Sequence, residues 1–301
     1  MKRIFVIMMM LISLGVFLIN SCTNKEEEVI KIGAILPLTG DAAKYGEIAK
    51  NGIELALDEI NSEGGINGKN IVMVYEDTKG DPKLGVTAIQ KLITINKVKA
   101  IIGDLFSSVT LAVAPIANKN KIVLLSPASS SPKITNAGDF IFRNCPSDVY
   151  EGSVMANHAY DILNYRKVAL LYINNDYGLG IKNVFGKVFS EKGGAIVTEE
   201  AFDQNSNDFK SQLLKIKNKN PEAIYLVGYK KMGHILKQTK EMGIQSQFLS
   251  TVMFEDPEIL EIAKNSAEGV IYSASAFNPE SDESLIQDFV QSYENKYNQV
   301  P

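Results

Sequence analysis

Serine hydroxyls follow two successive predicted strands, at the point where each strand ends. Ser107 follows a strand that ends at Gly103, and a run of three serines follows a strand that ends at Ser126; the run is Ser129, Ser130 and Ser131. Hydroxyls and free backbone N–H groups at the start of a helix can hold a carboxylate without an arginine, because helix N-termini carry partial positive charge. The pattern therefore predicts a site for a small anionic group. For any one serine, helix capping is the alternative interpretation.

The strands that carry these serines belong to a chain-long alternation of short β-branched runs and amphipathic stretches. The first half has predicted strands at 29–36, 71–75, 100–103 and 122–126. After a Pro- and Gly-punctuated stretch at 127–148, the pattern resumes with strands at 168–173, 195–202, 223–228, 248–250 and 270–273. Strands that recur after helices favour parallel sheets. The fold class predicted is α/β, with two doubly wound lobes and a cleft between them.

Two helices can be predicted from apolar spacing. The first carries an apolar face at i, i+3, i+4 and i+7, and the residues of that face are Ile53, Ala56, Leu57 and Ile60. We expect that face to lie in the core and the helix to end near Gly64-Gly65. Residues 285–297 form a second amphipathic pattern close to the end of the chain.

The first twenty-two residues have the pattern of a bacterial export signal. Lys2 and Arg3 precede a mostly apolar run at 4–19, and Asn20-Ser21-Cys22 follows it. This predicts a signal peptide at 1–21, lipidation of Cys22, and a polar lipidated tether at 22–28. The alternative is an ordinary signal cleaved nearby, with Cys22 an incidental thiol. Either pattern predicts a protein outside the cytoplasm, in the periplasm or at the outer cell surface, and the first adds a lipid anchor to the membrane.

Charge and motifs exclude several classes of function. Without Lys2 and Arg3 the chain has 29 basic and 35 acidic side chains, a formal net charge of −6, which argues against nucleic acid and against an anionic membrane surface as partners. The sequence has no Gly-x-Ser-x-Gly, His-Glu-x-x-His or P-loop motif, and Gly178-Leu179-Gly180 is an incomplete dinucleotide motif because Asn183 replaces the third glycine. We predict no catalysis, no metal and no cofactor.

A set of short segments, in order along residues 29–301, carries a resemblance to a known family. The segments are 32–40, Tyr45-Gly46, 59–61 with 64–68, Glu76-Asp77 with 80–82, Ile102-Gly103 with Ser107, 126–132, Arg143, 176–178 and 267–270. In their order and spacing the chain resembles the periplasmic leucine/isoleucine/valine-binding proteins of branched-chain amino acid ABC importers. The resemblance implies the type I periplasmic binding protein fold, with lobes joined by a multi-strand hinge.

The resemblance also implies which residues contact a ligand. Ser107 and Ser130 would hold the ligand carboxylate through side chain and backbone, and the Ala128 carbonyl would accept from its ammonium. Ser129, in the same loop, is a further expected ligand-binding residue. Further matched positions along the cleft are Tyr45, Tyr177, Tyr229 and Asp148. Isolated tyrosines are more often packing residues, and Asp148 alone could be a turn residue. The implied function is capture of a small carboxylate, a branched-chain or other hydrophobic amino acid, and its delivery to an ABC permease and ATPase complex. A ligand-sensing regulatory lipoprotein is the alternative.

The domain boundaries follow from the same resemblance. They are 29–147 with 276–301 for the first lobe, and 148–275 for the second. Family members continue for several more elements after the last predicted helix, so we expect a truncated reading frame or fragment with an incomplete first lobe.

One position departs from the family pattern. Amino-acid binders of the family carry an Asp or Glu directly after the strand that is here 248–250, and this chain has Val252 there. A buried ammonium without a counter-ion is unfavourable. Either Glu255 replaces the missing carboxylate, or the ligand is a non-amino carboxylate or amide. A small hydrophobic amino acid remains the first expectation.

Overall fold

The computed structural model describes residues 28–301. The predicted signal peptide and the predicted lipidation of Cys22 lie outside this range. Within it, no helix is both long and apolar enough to cross a membrane.

The first half of the chain forms a five-stranded parallel sheet in the order β2-β1-β3-β4-β5. The strands are β1 (Ile30–Leu36), β2 (Ile71–Asp77), β3 (Ala100–Gly103), β4 (Val123–Ser126) and β5 (Ile141–Arg143). The helices are α1 (Ala43–Ser62), α2 (Pro82–Lys91), which a π-helical turn extends over Leu92–Asn96, and α3 (Ser107–Lys119). The order reverses between β1 and β3, which is the switch point where such sheets bind ligands.

The second half repeats this arrangement in a sheet of order β10-β9-β8-β6-β7, again fully parallel. Its strands are β6 (Lys167–Ile173), β7 (Ala195–Phe202), β8 (Ala223–Val227), β9 (Gln247–Ser250) and β10 (Ile271–Tyr272). Its helices are α4 (Asp148–Asn157), α5 (Asp176–Glu191), α6 (Lys210–Lys219), α7 (Lys231–Glu241) and α8 (Pro257–Ala263). Both sheets therefore share one strand order, which confirms the predicted α/β class with two doubly wound lobes.

Side-chain caps fix where several helices begin. The Asp81 carboxylate accepts from the N–H groups of Lys83 and Leu84, at 2.7 and 3.0 Å, and Pro82 opens α2. The Asn175 side chain accepts from the Gly178 N–H at 2.9 Å and caps α5. These caps satisfy N–H groups that have no partner within the helix. They place the helix N-termini at the carboxyl edge of each sheet.

Each lobe encloses its own core of fully buried apolar side chains. The core of the first lobe includes Ile35, Leu92, Ile101, Val113 and Leu124. The core of the second is richer in aromatic residues and includes Phe185, Phe189, Phe209, Leu170 and Tyr225. Each lobe therefore has a core of its own, and loops and helix N-termini at the carboxyl ends of the strands make the contact between the lobes.

The chain passes from the first sheet to the second through residues 144–147 and returns after β10. The last helix, α9 (Ser284–Tyr297), then packs against α1 of the first lobe. The Tyr297 hydroxyl donates to the Asn51 carbonyl at 2.8 Å, and the Lys296 ammonium pairs with Asp58 at 2.6 Å. The residue boundaries proposed for the two lobes remain predictions.

The predicted core face of α1 is only partly buried, which corrects the sequence-based expectation. Ala56 is exposed and Ile60 keeps 38% of its surface, while Ile53 and Leu57 are half-buried. The Asn61 side chain ties the end of α1 to the backbone of Ile71 in β2. Because β2 is the edge strand of the sheet, no further strand among residues 28–301 covers the outer side of this face.

Candidate functional site

A cavity of about 290 Å³ lies between the two lobes, where the carboxyl ends of their strands face each other. The first lobe lines it with Tyr45, Ile48, Ala49, Leu105, Phe106, Ser107, Pro127, Ala128 and Ser130, and the second lobe with Tyr177, Tyr229 and Met253. None of these residues carries a formal charge. The cavity therefore offers apolar and aromatic walls with a few hydroxyl and backbone groups, as small-molecule sites commonly do.

Ser107 is the first residue of α3, and its hydroxyl does not cap the helix. The Ser107 Oγ instead accepts from the backbone N–H of Ser131 at 3.2 Å. Because that contact uses an oxygen lone pair, the single hydroxyl proton stays free to donate to a ligand. The partial positive charge of the helix N-terminus adds to this donor. This corner of the cavity therefore suits a carboxylate.

The loop after β4 supplies a second set of groups. The Ser130 N–H and the Ala128 carbonyl make no hydrogen bond within residues 28–301, and both residues line the cavity. Ser129 has a different environment, because it is fully buried and its hydroxyl contacts Thr110 Oγ1 at 2.7 Å and the Asp104 carbonyl at 3.0 Å. Ser129 therefore supports the loop, and Ser130 and Ala128 face the cavity.

Asp104 holds this corner together from below the cavity. Its buried carboxylate accepts from the Thr78 hydroxyl at 2.6 Å and from the Phe106 N–H at 2.8 Å. Its backbone carbonyl accepts from the hydroxyls of Ser126 and Ser129, at 2.7 and 3.0 Å. Burial raises the pKa of Asp104 to about 6, and the hydrogen bonds partly offset that effect. One residue thus contacts both loops of the first lobe that line the cavity.

Aromatic rings form a wall that crosses from one lobe to the other. Phe106 packs edge-on against Tyr229 with ring centroids 5.1 Å apart, and against Tyr45 at 6.3 Å. Tyr177 stacks on Tyr229 at 5.4 Å, and its hydroxyl donates to Thr251 Oγ1 at 2.9 Å. Burial raises the pKa of all three tyrosines well above the usual range, so their hydroxyls are neutral at neutral pH.

Direct contacts show that the lobes are closed on each other. The Tyr45 hydroxyl of the first lobe donates to the Asp256 carboxylate of the second. The backbone N–H of Asp176, at the start of α5, donates to Ser108 Oγ of the first lobe at 3.1 Å. The Asp176 carboxylate also pairs with Lys133 at 2.8 Å. These contacts join the helix N-termini of the two lobes around the cavity.

Two other predicted residues, Val252 and Glu255, lie outside the cavity lining. The Val252 N–H donates to the Glu151 carboxylate at 2.7 Å, and it is the next residue, Met253, that reaches the cavity. Glu255 is exposed and accepts from the Ser275 N–H at 3.3 Å. Burial raises the pKa of Glu151, whose carboxylate also accepts from the Ser273 hydroxyl.

Asp148 does not line the cavity and lies behind it, whereas the sequence analysis expected it along the cleft. It is fully buried as the first residue of α4, and neither carboxylate oxygen has a hydrogen-bond partner within residues 28–301. Its backbone N–H donates to the Ser130 carbonyl at 2.9 Å, so Asp148 contacts the cavity-lining loop of residues 128–130. Burial raises the pKa of Asp148 to about 7, against a partial offset from Ser130 and Arg143.

The pKa of Asp148 predicts how stability depends on pH. A carboxyl whose pKa is raised on folding contributes stability that is present below its unfolded pKa of about 4 and is lost as the pH rises through about 7. Asp148→Asn has no such loss. We expect urea unfolding to show the variant within about 1 kcal/mol of the parent at pH 5 and more stable by about 2 to 4 kcal/mol at pH 8.

The control is Asp139→Asn, because Asp139 is exposed and its side chain makes no hydrogen bond within the described residues. It should match the parent at both pH values. If Asp148→Asn destabilised the protein equally at pH 5 and pH 8, a burial-raised pKa would be the wrong account of this residue.

Several cavity residues went unnoticed in the sequence. The most important is Phe106, whose only signal was its position between the predicted strand end at Gly103 and Ser107. Asp104, in the same short loop, had no signal beyond being a polar residue directly after a buried run. Nothing in the local sequence marks Ile48, Ala49 and Met253 as site residues. Apolar residues of this kind line a cavity only because the fold brings their segments together.

The comparisons with known proteins agree with this geometry. Residues 29–301 match the model of the family described as periplasmic binding protein. The Leu/Ile/Val-binding protein homolog 3 of Brucella melitensis is 30% identical over 249 residues, which are 81% of this chain and 67% of that protein.

Solved structures extend the comparison to the fold. The branched-chain amino acid transporter substrate binding protein LivJ of Streptococcus pneumoniae, in complex with isoleucine, has a TM-score of 0.81 and 31% identity over 91% of this chain and 79% of its own. A solute binding protein of an ABC transporter from Rhodopseudomonas palustris, in complex with 3,4-dihydroxybenzoic acid, has a TM-score of 0.78 and 25% identity over 91% and 75%. The chain therefore belongs to the periplasmic binding protein family, whose members include Leu/Ile/Val-binding proteins and the substrate-binding proteins of ABC transporters.

Proposed function

We propose that the protein is an extracytoplasmic solute-binding lipoprotein, anchored through Cys22, that captures a hydrophobic amino acid and delivers it to an ABC permease and ATPase complex. The observation that carries the proposal is the closed cavity between the lobes. One side of it offers Ser107 and Ser130 as hydrogen-bond donors for a carboxylate, and the Ser130 N–H has no acceptor within residues 28–301; the other walls are apolar. The signal peptide, the lipid anchor and the permease partner are inferred from the sequence pattern and from the family.

The ligand carboxylate is assigned to the corner formed by Ser107 and Ser130. Ser107 and Ser130 both line the cavity, the Ser130 N–H has no acceptor within residues 28–301, and the start of α3 favours negative charge beside them. The Ala128 carbonyl, from the same loop, is the acceptor for an α-ammonium. Tyr45, Tyr177 and Tyr229 then enclose the side chain together with Met253.

An ammonium in this cavity would lack a carboxylate partner in direct contact. The Ala128 carbonyl and the faces of the aromatic rings are the groups available to it, and cations are attracted to such faces. Asp148 and Glu151 do not line the cavity, and burial raises the pKa of both, which favours their neutral forms. A hydrophobic amino acid therefore fits, with its ammonium held by neutral groups.

A second ligand class, a carboxylate without an ammonium, has its own support. Among residues 28–301 no acidic side chain lines the cavity, and the relative from Rhodopseudomonas palustris was solved with 3,4-dihydroxybenzoic acid. Four aromatic side chains around 290 Å³ would suit a flat ring as well as an aliphatic chain.

Capture would proceed by closure of the lobes. Tyr45, Phe106 and Ser107 lie on the first lobe, and Tyr177 and Tyr229 on the second, so one ligand touches both halves. A ligand that touches both lobes favours the closed form by its difference in affinity between the two forms. The closed surface is then what a transporter would recognise.

A panel of matched ligands tests the function. We expect L-isoleucine to raise the Tm of the purified protein by several degrees at saturating concentration, because a ligand that binds only the folded state stabilises it by mass action. L-isoleucinamide, which lacks the carboxylate, should give no shift. The measurement is thermal unfolding, with Kd from isothermal titration calorimetry.

Two further acids separate the ligand classes. Stronger binding of 3-methylpentanoate, which is isoleucine without its ammonium, or of 3,4-dihydroxybenzoate would assign the cavity to non-amino carboxylates. Binding of isoleucinamide as tight as that of isoleucine would contradict the carboxylate corner, and no shift with any acid would contradict the proposed function.

A further inference from the structure

The two glycines of Gly178-Leu179-Gly180 have different surroundings near the start of α5. A Cβ at Gly178 would lie 2.0 Å from the Ile173 carbonyl oxygen, so this glycine lets α5 begin close to β6 within the second lobe. A Cβ at Gly180 would instead meet the first lobe, 2.9 Å from Pro132 Cδ and 3.3 Å from Ser131 Oγ. Gly180 is therefore a point where the backbone of α5 approaches the first lobe closely.

The contact at Gly180 leaves no room for a side chain. Carbon atoms in contact normally lie about 3.5 to 4.0 Å apart, so a Cβ at 2.9 Å from Pro132 Cδ would force one element to move. Pro132 Cδ belongs to a ring bonded to the main chain, and it cannot rotate away as a long side chain would. The movement would fall on the loop itself or on the angle between the lobes.

The loop that meets Gly180 is the one that carries the ligand-facing groups. Ser131 and Pro132 directly follow Ser130, and the Ser131 N–H is the donor that orients the Ser107 hydroxyl. Asp148 Oδ2 lies 3.4 Å from the same Cβ position, so the loop, α4 and α5 converge there. A displacement at Gly180 would therefore act on the loop that forms the carboxylate corner.

We propose that Gly180 sets how far the lobes close. Because it has no side chain, the 130–132 loop can pack directly against α5, and both lobes can then contact one ligand. Gly180 is a positioning residue, because it touches no cavity surface itself. The inference rests on the proposed function, since closure matters only if a ligand is bound between the lobes.

The test compares Gly180→Ala with Gly186→Ala. Both positions lie in α5, and a Cβ at Gly186 would find only ordinary contacts, 3.7 Å from Leu170 Cδ1 and 3.9 Å from Ile196 Cγ1. Alanine favours the helix over glycine at both sites. We expect both variants to keep or raise the Tm of the ligand-free protein, whereas only Gly180→Ala should weaken L-isoleucine binding, by about tenfold or more in Kd.

A rescue variant separates closure from a purely structural role. Pro132→Ala removes the ring that a Cβ at position 180 would meet, so Gly180→Ala combined with Pro132→Ala should recover most of the lost affinity relative to Pro132→Ala alone. A drop in ligand-free Tm for Gly180→Ala, unchanged affinity, or absence of rescue would overturn the inference.

If the parent protein binds only 3,4-dihydroxybenzoate, the same variants are titrated with that acid. If the parent protein binds neither acid, the proposed function is contradicted. A drop in the ligand-free Tm of Gly180→Ala would then still overturn the inference about Gly180.

Discussion

Asp104→Ala is expected to lower the free energy of unfolding by about 2 to 4 kcal/mol and to weaken binding of any carboxylate ligand. The substitution leaves the Thr78 hydroxyl and the Phe106 N–H buried without their acceptor, and unpaired buried donors are costly. It also frees the loop that presents Phe106 and Ser107. Urea unfolding gives the stability, and calorimetric titration with L-isoleucine gives the affinity.

Asp104→Asn distinguishes hydrogen bonding from charge. The amide keeps the shape of the side chain, its oxygen can accept from the Phe106 N–H, and its NH2 group can donate to the Thr78 hydroxyl. Since burial already raises the pKa of Asp104 to about 6, the charge itself adds little stability, and this variant should remain within about 1 kcal/mol of the parent at pH 7. Equal damage from the Asn and Ala variants would assign the role to the negative charge and contradict this account.

Phe106→Ala should weaken ligand binding by about 2 to 3 kcal/mol, which is roughly 30- to 150-fold in Kd. The ring is the element of the first lobe that contacts Tyr229 of the second, at 5.1 Å between centroids, and it forms part of the cavity wall. Its loss would open the aromatic wall to water and remove a contact that exists only when the lobes are closed. Titration of the variant with L-isoleucine measures the effect.

Phe142→Ala is the matched control for this variant. Phe142 lies on β5 of the same sheet, is 49% exposed and does not line the cavity. It should bind ligand as the parent does. A Phe106→Ala variant that binds as tightly as Phe142→Ala would show that the ring serves packing within the first lobe and does not complete the site.

The architecture could be predicted because it depends on local pattern. Short β-branched runs such as residues 29–36 and 168–173 repeat with amphipathic stretches between them, and that alternation alone favours parallel sheets. The structure confirms two such sheets with the same strand order. Placing Ser107 and Ser130 at strand ends also followed from the pattern, because the carboxyl ends of parallel strands share one edge of a sheet.

Contacts between segments that are distant in the chain could not be predicted from the sequence. Phe106 became a cavity residue only because Tyr229, more than a hundred positions later, faces it across the cleft. The burial of Asp148 depends on how α4 and α5 meet the 130–132 loop. The exposed side of Ile60 likewise depends on β2 being an edge strand, which helical periodicity cannot show.

The position of Val252 shows how side chains from another element can change a local expectation. The sequence suggested that the loop after β9 lacks the carboxylate expected there, with Glu255 as a nearby replacement. In the structure the Glu151 carboxylate, from α4, reaches the backbone of Val252, and Glu255 points to solvent. A partly buried acidic group therefore lies near this loop, although it does not line the cavity.

The most direct test of the central claim is a crystal structure of the protein with the acid from the panel that binds most tightly. We predict the acid between the two lobes, with its carboxylate oxygens at hydrogen-bond distance, about 3 Å, from Ser107 Oγ and the Ser130 nitrogen. An acid bound outside the cavity, or one whose carboxylate faces the second lobe, would contradict the account.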